Sequence, residues 1–217
     1  MTRVESLTED GVYYPDSDGE PMADNEPQLA VIIRLITGFR AYYAEIPDVH
    51  VTGDLFWYPV KGRPEIVTAP DLMIIAGLDK ARLRSYRPWV HGGRVQLVAE
   101  VMSHKNTPAH MAGKLAFYDR YGVPEYLLFD PQTARLWAYE RHGGSLAAVP
   151  TGQGWTSPFT GVHFDVADRD LAATDPSGRR WRDPEEEIRR ADEAAAEVAR
   201  LRALLEARPD PGNGDER

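Results

Sequence analysis

The chain has 217 residues, of which 42% are hydrophobic and 27% are charged, and this composition excludes a chain that is disordered throughout. Its formal charge is −9, from 25 Lys and Arg against 34 Asp and Glu, which excludes a protein that coats nucleic acid through bulk positive charge. Cysteine is absent, so disulfides, thiolate zinc sites, iron–sulfur clusters and cysteine nucleophiles are excluded as well.

No membrane span and no signal peptide are predicted, because no apolar run approaches about 18 residues and the N-terminus lacks an apolar signal core. We therefore expect no membrane partner and a cytoplasmic location. Composition and punctuation divide the chain into five predicted parts. They are an N-terminal arm (1–24), an α/β domain (25–173), a linker (174–184), a helix (185–208) and a disordered tail (209–217).

The first predicted element is a helix over 28–43, where apolar residues recur every three or four positions and Asp24 or Asn25 can cap the N-terminus. Short segments rich in β-branched and aromatic residues follow. Two later runs are almost wholly apolar, which is typical of strands buried on both faces. The predicted strands in this part of the chain are 49–51, 55–60, 66–75 and 95–102.

A helix with clear boundaries comes next. Thr107 suits its N-cap and Gly122 suits the position just past its C-terminus. Met111, Leu115 and Tyr118 form its apolar stripe.

Two more strands, 126–129 and 136–139, flank the turn at 130–133 and predict a hairpin. Over 49–139 the order is β-β-β-β-α-β-β, so the predicted fold class is α/β, a mixed sheet with helices at its faces. Four glycines between residues 143 and 154 indicate loops with one or two weak strands up to residue 170.

The last predicted helix carries a short heptad pattern that is typical of a coiled coil. This pattern is compatible with a homodimer, with packing against the same chain and with docking of a partner. The residues of the pattern are Ala191, Ala194, Val198, Leu201 and Leu205.

Two carboxylates stand beside or inside apolar strands. Asp71 is followed by four apolar residues, and Glu100 lies within the run 95–102. A charge in such a place is costly unless it is paired, hydrogen-bonded or bound to a metal. Each could be a solvated strand-end acid or the partner of an arginine, but two on neighbouring strands favour a shared site.

Lys114 lies at the border of the apolar stripe of the second helix, where its ammonium would emerge between helix and sheet. A lysine that only extends its amine to solvent is the plain alternative. Placed beside Asp71 and Glu100, it completes a set that suits phosphodiester hydrolysis: two carboxylates to hold Mg²⁺ (or Mn²⁺), and an ammonium to position water or phosphate.

Several of these stretches resemble a known nuclease family. Residues 69–75 (APDLMII) resemble the "PD" strand of the PD-(D/E)XK nuclease superfamily. Further stretches, in the same order, resemble the Uma-two family of restriction-endonuclease-like proteins, and the similarity runs from about residue 25 to 170. These stretches are 54–60 (DLFWYPV), 84–89 (RSYRPW), 98–103 (VAEVMS), 114–118 (KLAFY), 122–126 (GVPEY) and 129–131 (FDP).

The resemblance implies a restriction-endonuclease-like mixed sheet, a divalent-metal nuclease site and DNA as the substrate. It makes Asp71 and Glu100 the metal ligands. The superfamily usually places its lysine two residues after the glutamate, where this chain has Met102. In the resembled family the lysine stands on the following helix, so Lys114 takes the role.

Three further residues are auxiliary candidates. Glu26 and Asp54 resemble extra acids that some superfamily members place near the metal. The plain alternative for both is a solvated cap or turn acid. His110 lies one turn before Lys114, where family members often carry an acid, and its plain alternative is a surface histidine.

One segment of the domain is rich in basic residues interleaved with aromatic ones, which favours contact with phosphates and bases. A solvated loop is the alternative. The nucleic-acid-binding candidates are Lys80, Arg82, Arg84, Arg87 and Arg94.

The leading hypothesis is therefore a Mg²⁺-dependent endonuclease that hydrolyses DNA by metal-activated water. The principal alternative is a catalytically degenerate module of the same fold that binds nucleic acid or a partner protein. A metal-dependent hydrolase of small phosphate esters is a third.

Overall fold

The computed structural model describes residues 8–17, 19, 22–80 and 82–206. The chain divides into two compact units, the first ending at Trp181 and the second beginning at Arg182. The helices are α1 (Glu26–Tyr42), α2 (Pro88–His91), α3 (Pro108–Arg120) and α4 (Pro184–Glu206). The strands are β1 (Thr8–Glu9), β2 (Val12–Tyr13), β3 (Val49–Thr52), β4 (Leu72–Ala76), β5 (Arg94–Val101), β6 (Glu125–Asp130), β7 (Arg135–His142), β8 (Ser145–Val149), β9 (Trp155–Thr156), β10 (His163–Ala167) and β11 (Asp170–Thr174).

A six-stranded mixed sheet forms the centre of the first unit, in the order β3-β4-β5-β6-β7-β8. Neighbours are antiparallel except for β5 and β6, which run parallel. A parallel pair needs a long crossover connection, and α3 forms it. The predicted α/β class with a mixed sheet and flanking helices is confirmed.

Each face of this sheet carries its own core. On one face α1 packs with the three-stranded sheet β11-β10-β9, through side chains such as Phe39 and Phe164. On the other face α3 packs with the two loop segments that precede and follow β4, through side chains such as Tyr118 and Tyr86. The alternation of side chains along β4 and β5 supplies both cores, so these strands are apolar on both faces, as their sequences predicted.

Strand β5 contains a bulge. Ile74 pairs with Leu97 but Ile75 pairs with Val95, so Gln96 has no partner residue on β4. One extra residue in one strand shifts its alternation by one position. As a result Val95 and Val98 share the face covered by α3, and Glu100 lies on that face too.

Helix boundaries follow their capping residues. Asn25 caps α1 by accepting a hydrogen bond from the backbone of Gln28. Thr107 caps α3 by accepting from the backbone of His110, and Gly122 follows that helix with φ of 76°. Both helices begin within two residues of a proline, which costs nothing there because the first turn has no acceptor for its N–H.

The strands predicted at 55–60 and in the first part of 66–75 do not form. Instead, Trp57 makes isolated bridges to Thr68 and Tyr86. Single-residue bridges to two different segments do not form the continuous hydrogen-bond ladder that defines a strand. The apolar character of the segment reflects burial, since Trp57 is only 3% exposed. The sheet therefore has one strand fewer before α3 than predicted.

The region 143–170 contains more strand than predicted. It holds β8, β9 and β10, and β11 begins at its end. Gly143 and Gly144 have φ of 60° and 100° and form a two-residue turn that brings β8 back along β7. Turns of this kind require positive φ at both central positions and match the twist of a hairpin, which is why two glycines here connect strands.

The segment expected as a linker begins inside β11 and folds back on it. Arg180 forms a bridge to Thr174, and Trp181 is 6% exposed with its ring 4.6 Å from that of Phe39. The second unit therefore begins at Arg182.

Within its described residues, the segment expected as an irregular arm forms the hairpin β1–β2 and buries Tyr14, whose ring lies 5.1 Å from that of Tyr58. The expected tail at 209–217 lies outside the described residues. Helix α4 matches the helix predicted over 185–208 to within two residues. None of the helices in the described parts is long and apolar enough to cross a membrane.

Candidate active site

Three side chains that are distant in the sequence converge at one end of the six-stranded sheet. Asp71 directly precedes β4, Glu100 is the penultimate residue of β5, and Lys114 lies in the middle of α3. Because β4 and β5 are antiparallel, the start of one lies beside the end of the other. The crossover through α3 then places Lys114 Nζ 2.7 Å from Glu100 Oε2.

Both oxygens of the Glu100 carboxylate are held. Its side chain is 2% exposed; Lys114 donates to Oε2 and the Tyr118 hydroxyl donates to Oε1. Lys114 and Tyr118 are four residues apart, so they lie side by side on α3 and grip the carboxylate together. The side chain of Thr68 hydrogen-bonds the phenol in turn. Burial, followed by the negative charge of Glu100, raises the pKa of Tyr118, so the phenol keeps its proton at neutral pH and its hydroxyl is the donor in the hydrogen bond to Glu100.

Asp71 is fixed through the backbone of the neighbouring strand. Val101 N donates to Asp71 Oδ2 at 2.7 Å, and the two carboxyl groups of Asp71 and Glu100 are in hydrogen-bonding contact. Burial and the charge of Glu100 raise the pKa of Asp71, although Lys114 and the Val101 N–H oppose them. Asp71 therefore holds its proton more tightly than an exposed aspartic acid does.

Gly53 lets the end of β3 approach this site. A Cβ at position 53 would overlap the carbonyl oxygen of Asp71 and the side chain of Ile36. The next residue, Asp54, donates its backbone N–H to Pro70 at 2.9 Å, with φ of 51°. The turn after β3 is thus packed directly against the residue that carries the site.

Lys114 is charged despite its position. Burial lowers the pKa of its amine, but the charges of Glu100 and Asp71 outweigh burial and the pKa is raised. Its side chain remains 19% exposed. An ammonium therefore sits at the border between the buried acids and solvent.

A cleft of about 330 Å³ opens over Asp71 and Lys114. Gln28 of α1 forms part of its wall; this side chain is buried, donates to Val101 O at 2.8 Å and accepts from Asp24 N at 2.9 Å. The other lining residues are Met22, Ala23, Asp24, Asp54, Ala69, Lys105, Asn106 and His110. Within the described residues, no three His, Asp or Glu side chains are grouped so as to cage a metal by themselves.

Comparison with known proteins identifies the family. The family model Uma2, described as "Putative restriction endonuclease", matches residues 4–167. The chain belongs to the Uma2 family. A solved structure described as a "putative nuclease belonging to DUF820 from Anabaena variabilis ATCC 29413" is similar, with a TM-score of 0.48 and 11% identity over 74% of this chain and 86% of that chain. No curated protein matches the sequence.

In this Uma2 protein the three auxiliary candidates occupy different positions. Asp54 and His110 line the cleft, and the charge of Asp54 acts on Lys114. The His110 ring lies 3.1 Å from the side-chain nitrogen of Asn106. Glu26 is exposed in the first turn of α1 and does not line the cleft. Gln28, two residues later, is the α1 side chain that does.

The basic candidates do not form one surface in the Uma2 chain. Lys80 and Arg82 line a separate cleft at the other end of β3. Arg84 pairs with Asp16, and Arg94 lines a third cleft. Arg87 is 2% exposed and its guanidinium lies over the ring of Tyr14, so its charge serves the interior.

Sequence reasoning missed two residues of the site. Gln28 is a polar residue on the apolar side of α1, and that mismatch was the available signal. Tyr118 was assigned to the apolar stripe of α3, which its buried ring confirms; its hydroxyl bond to Glu100 depends on a contact 18 residues away along the chain. Met102, at the position of the superfamily's usual lysine, is a partly buried side chain packed on the core.

Proposed function

We propose that this Uma2 protein is an endonuclease that hydrolyses DNA phosphodiester bonds with Mg²⁺ (or Mn²⁺) at Asp71 and Glu100. The observation that carries the proposal is the convergence of three groups: Asp71 and a charged Lys114 line one cleft, and the buried Glu100 carboxylate accepts a hydrogen bond from Lys114. Its membership of a family described as restriction endonucleases supports nucleic acid as the substrate.

The donor set fits a hard divalent cation. Both acids offer carboxylate oxygens, the ligand type that Mg²⁺ prefers, and Mg²⁺ commonly uses one or two protein carboxylates while water and substrate complete its shell. Burial raises the pKa of Asp71 most and the charge of Glu100 raises it further, so the two acids repel each other when both are ionised. A cation between them would remove that repulsion. When bound, the metal lowers the pKa of a coordinated water and offsets charge on the phosphate.

The protein's own side chains would position the two carboxylates and offset negative charge in the cleft. Tyr118 and the Val101 N–H hold the two carboxylates in place before any ligand arrives. Lys114 provides the positive charge nearest to the acids, so in the substrate complex it would orient a water or a phosphate oxygen. Asp54 and His110 reach the same cleft and are proposed as auxiliary groups.

One observation favours the alternative of a degenerate binding module. In this structure Lys114 pairs directly with Glu100, and the usual lysine position holds Met102. A module that had lost catalysis would retain this closed pair and would bind no cation through it.

Plasmid nicking with Mg²⁺ or Mn²⁺ tests the proposal. We expect the wild type to nick, and Asp71→Asn to lose at least about 100-fold, the scale of loss typical for a group that stabilises charge in the transition state. Asp192→Asn, the same chemical change on exposed α4, serves as the matched control. Calorimetry should show Mg²⁺ binding that Asp71→Asn abolishes. Equal nicking by wild type and Asp71→Asn, or no carboxylate-dependent metal binding, would refute the proposal and favour the degenerate module.

We also propose that α4 pairs with α4 of a second copy as a coiled coil. Four large apolar side chains on this 23-residue helix are exposed, and α4 carries the predicted heptad pattern. A dimer would carry two candidate active sites. The exposed residues are Ile188, Val198, Leu201 and Leu204.

A further inference from the structure

A second cleft, of about 450 Å³, lies beside β3 at the end opposite to the candidate active site. Four of its lining residues are basic: Arg40, His50, Lys80 and Arg82. Among the described residues that line it, none is acidic; the others are Tyr43, Ala44, Val49 and Val51. In a chain of net charge −9, this is a local concentration of positive charge.

The basic side chains are held but not saturated by protein acceptors. Arg40 donates through Nε to Val51 O at 3.2 Å, which leaves the donors of its two terminal nitrogens. Lys80 Nζ donates to the carbonyl oxygens of Tyr43 and Ala44, two of its three hydrogens. These bonds fix the directions of both cations at the wall of the cleft.

The remaining two groups differ in exposure. His50 is buried on β3, and burial followed by the charge of Arg40 lowers its pKa, so at neutral pH it is an uncharged ring. Arg82 is exposed at the mouth. The cleft therefore presents three permanent cations with donor groups to spare, which is how proteins bind phosphate oxygens.

The position of the cleft relates it to the candidate active site. His50 pairs with Ile75, which is four residues after Asp71 along β4. At about 3.3 Å per residue, the backbone of His50 lies about 13 Å from that of Asp71 along the strand direction. A DNA backbone that passes the candidate active site could therefore place a phosphate a few nucleotides away at this cleft.

We infer that the cleft lined by Arg40, Lys80 and Arg82 binds a backbone phosphate of the DNA a few nucleotides from the bond to be cleaved. The inference rests on the proposed nuclease function for its substrate, but it concerns binding and not the hydrolytic step.

Fluorescence anisotropy with a labelled duplex, in chelator so that no cleavage occurs, tests the inference over 50–200 mM KCl. Each neutralised phosphate contributes about 0.9 to the slope of log K against log salt. Arg82→Ala should therefore flatten the slope by about 0.9, so that its affinity deficit shrinks about 3.5-fold between 50 and 200 mM KCl. Arg82→Lys should retain the slope.

Arg200→Ala is the matched control, since it removes the same charge from an exposed position of α4. The control should bind as the wild type does. Equal flattening by Arg82→Ala and Arg200→Ala, or an unchanged slope in Arg82→Ala, overturns the inference. Thermal unfolding confirms that both variants are folded.

Two further outcomes distinguish this inference from the catalytic proposal and from binding of free phosphate. A chain that binds DNA with the expected Arg82-dependent slope but never nicks supports the cleft and refutes the catalytic proposal; active nicking with an unchanged slope does the reverse. If 10 mM inorganic phosphate raises the melting temperature in an Arg82-dependent way while the DNA slope is unaffected, the cleft serves a free phosphate and the DNA assignment is wrong.

Discussion

Two Tyr→Phe variants measure how much the hydrogen bonds of the Tyr118 hydroxyl contribute to the stability of the fold. Tyr118 and Tyr126 are both 0% exposed, with ring centroids 5.1 Å apart. The Tyr118 hydroxyl donates to the Glu100 carboxylate, whereas the Tyr126 hydroxyl has no hydrogen-bond partner among the described residues. The two Phe variants therefore delete the same atom from two neighbouring buried rings, one whose hydroxyl is hydrogen-bonded to Glu100 and Thr68 and one whose hydroxyl is not.

The two variants should change the free energy of unfolding differently. A buried hydrogen bond to a charged group contributes about 1.5–3 kcal/mol, so Tyr118→Phe should lower the free energy of unfolding by that amount. Tyr126→Phe removes an unsatisfied polar group and should leave stability unchanged or raise it by up to about 1–3 kcal/mol.

Urea denaturation in chelator measures both. With an m-value of about 2 kcal/mol/M, Tyr118→Phe should move the midpoint down by about 1 M, at unchanged m. Equal midpoint shifts for the two variants would refute the reasoning, because they would mean that the loss of a buried hydroxyl group in itself, and not the loss of its hydrogen bond to Glu100, decides the outcome.

Three other perturbations have defined outcomes. Gly53→Ala should lower the free energy of unfolding by about 1–3 kcal/mol and reduce nicking, because the added methyl group overlaps the Asp71 backbone. Gly113→Ala is the control on α3, where the added methyl group meets open space, and it should raise the free energy of unfolding by about 0.5–1 kcal/mol in the same urea denaturation. Burial raises the pKa of Glu125 above its ordinary value. The unfolded chain therefore loses this proton at a lower pH than the folded chain does, so the stability falls as the pH rises from the unfolded-state pKa to the folded-state pKa. Glu125→Gln should lack this fall, so the difference in unfolding free energy between the variant and the wild type should grow from pH 4 to 7. Leu201→Asp should convert a dimer to a monomer in sedimentation equilibrium, because Leu201 is one of the exposed apolar side chains of α4.

Opposite results are equally clear. A Gly53→Ala protein as stable and active as Gly113→Ala would show that the approach of β3 to Asp71 is not constrained. A pH dependence shared by the wild type and Glu125→Gln would assign the titration to another group. A wild type that sediments as a monomer would remove the proposed α4 pairing.

Elements with local signals were predictable. The caps and glycine of α3 and the apolar runs of β4 and β5 lie in or next to the residues of those elements, so the helix and both strands followed from the sequence. Strand β8 was not predictable, since its residues (SLAAV) have weak strand propensity and are held by pairing with β7. Residues 55–60 have strong strand propensity, but tertiary contacts take them elsewhere.

The candidate site divides along the same line. Asp71 and Glu100 were conspicuous because charge within an apolar run needs compensation, and Lys114 followed from its helix position and the family resemblance. The hydroxyl of Tyr118 and the amide of Gln28 reach the site from residues 18 and 73 positions away from their partners. Such contacts depend on the folded arrangement of three elements, and a single sequence carries no local signal of them.

The unpaired Gln96 makes β5 intolerant of changes in length. Loss of this one residue would restore an unbroken ladder with β4, yet it would reverse the facing of every residue on one side of the deletion. If the Val95 half kept its facing, Glu100 would turn towards α1 and away from its lysine; if the Glu100 half kept its facing, valine would be exchanged for arginine in the interior beneath α3. Single-residue insertions and deletions in this strand should therefore destroy the fold or the site.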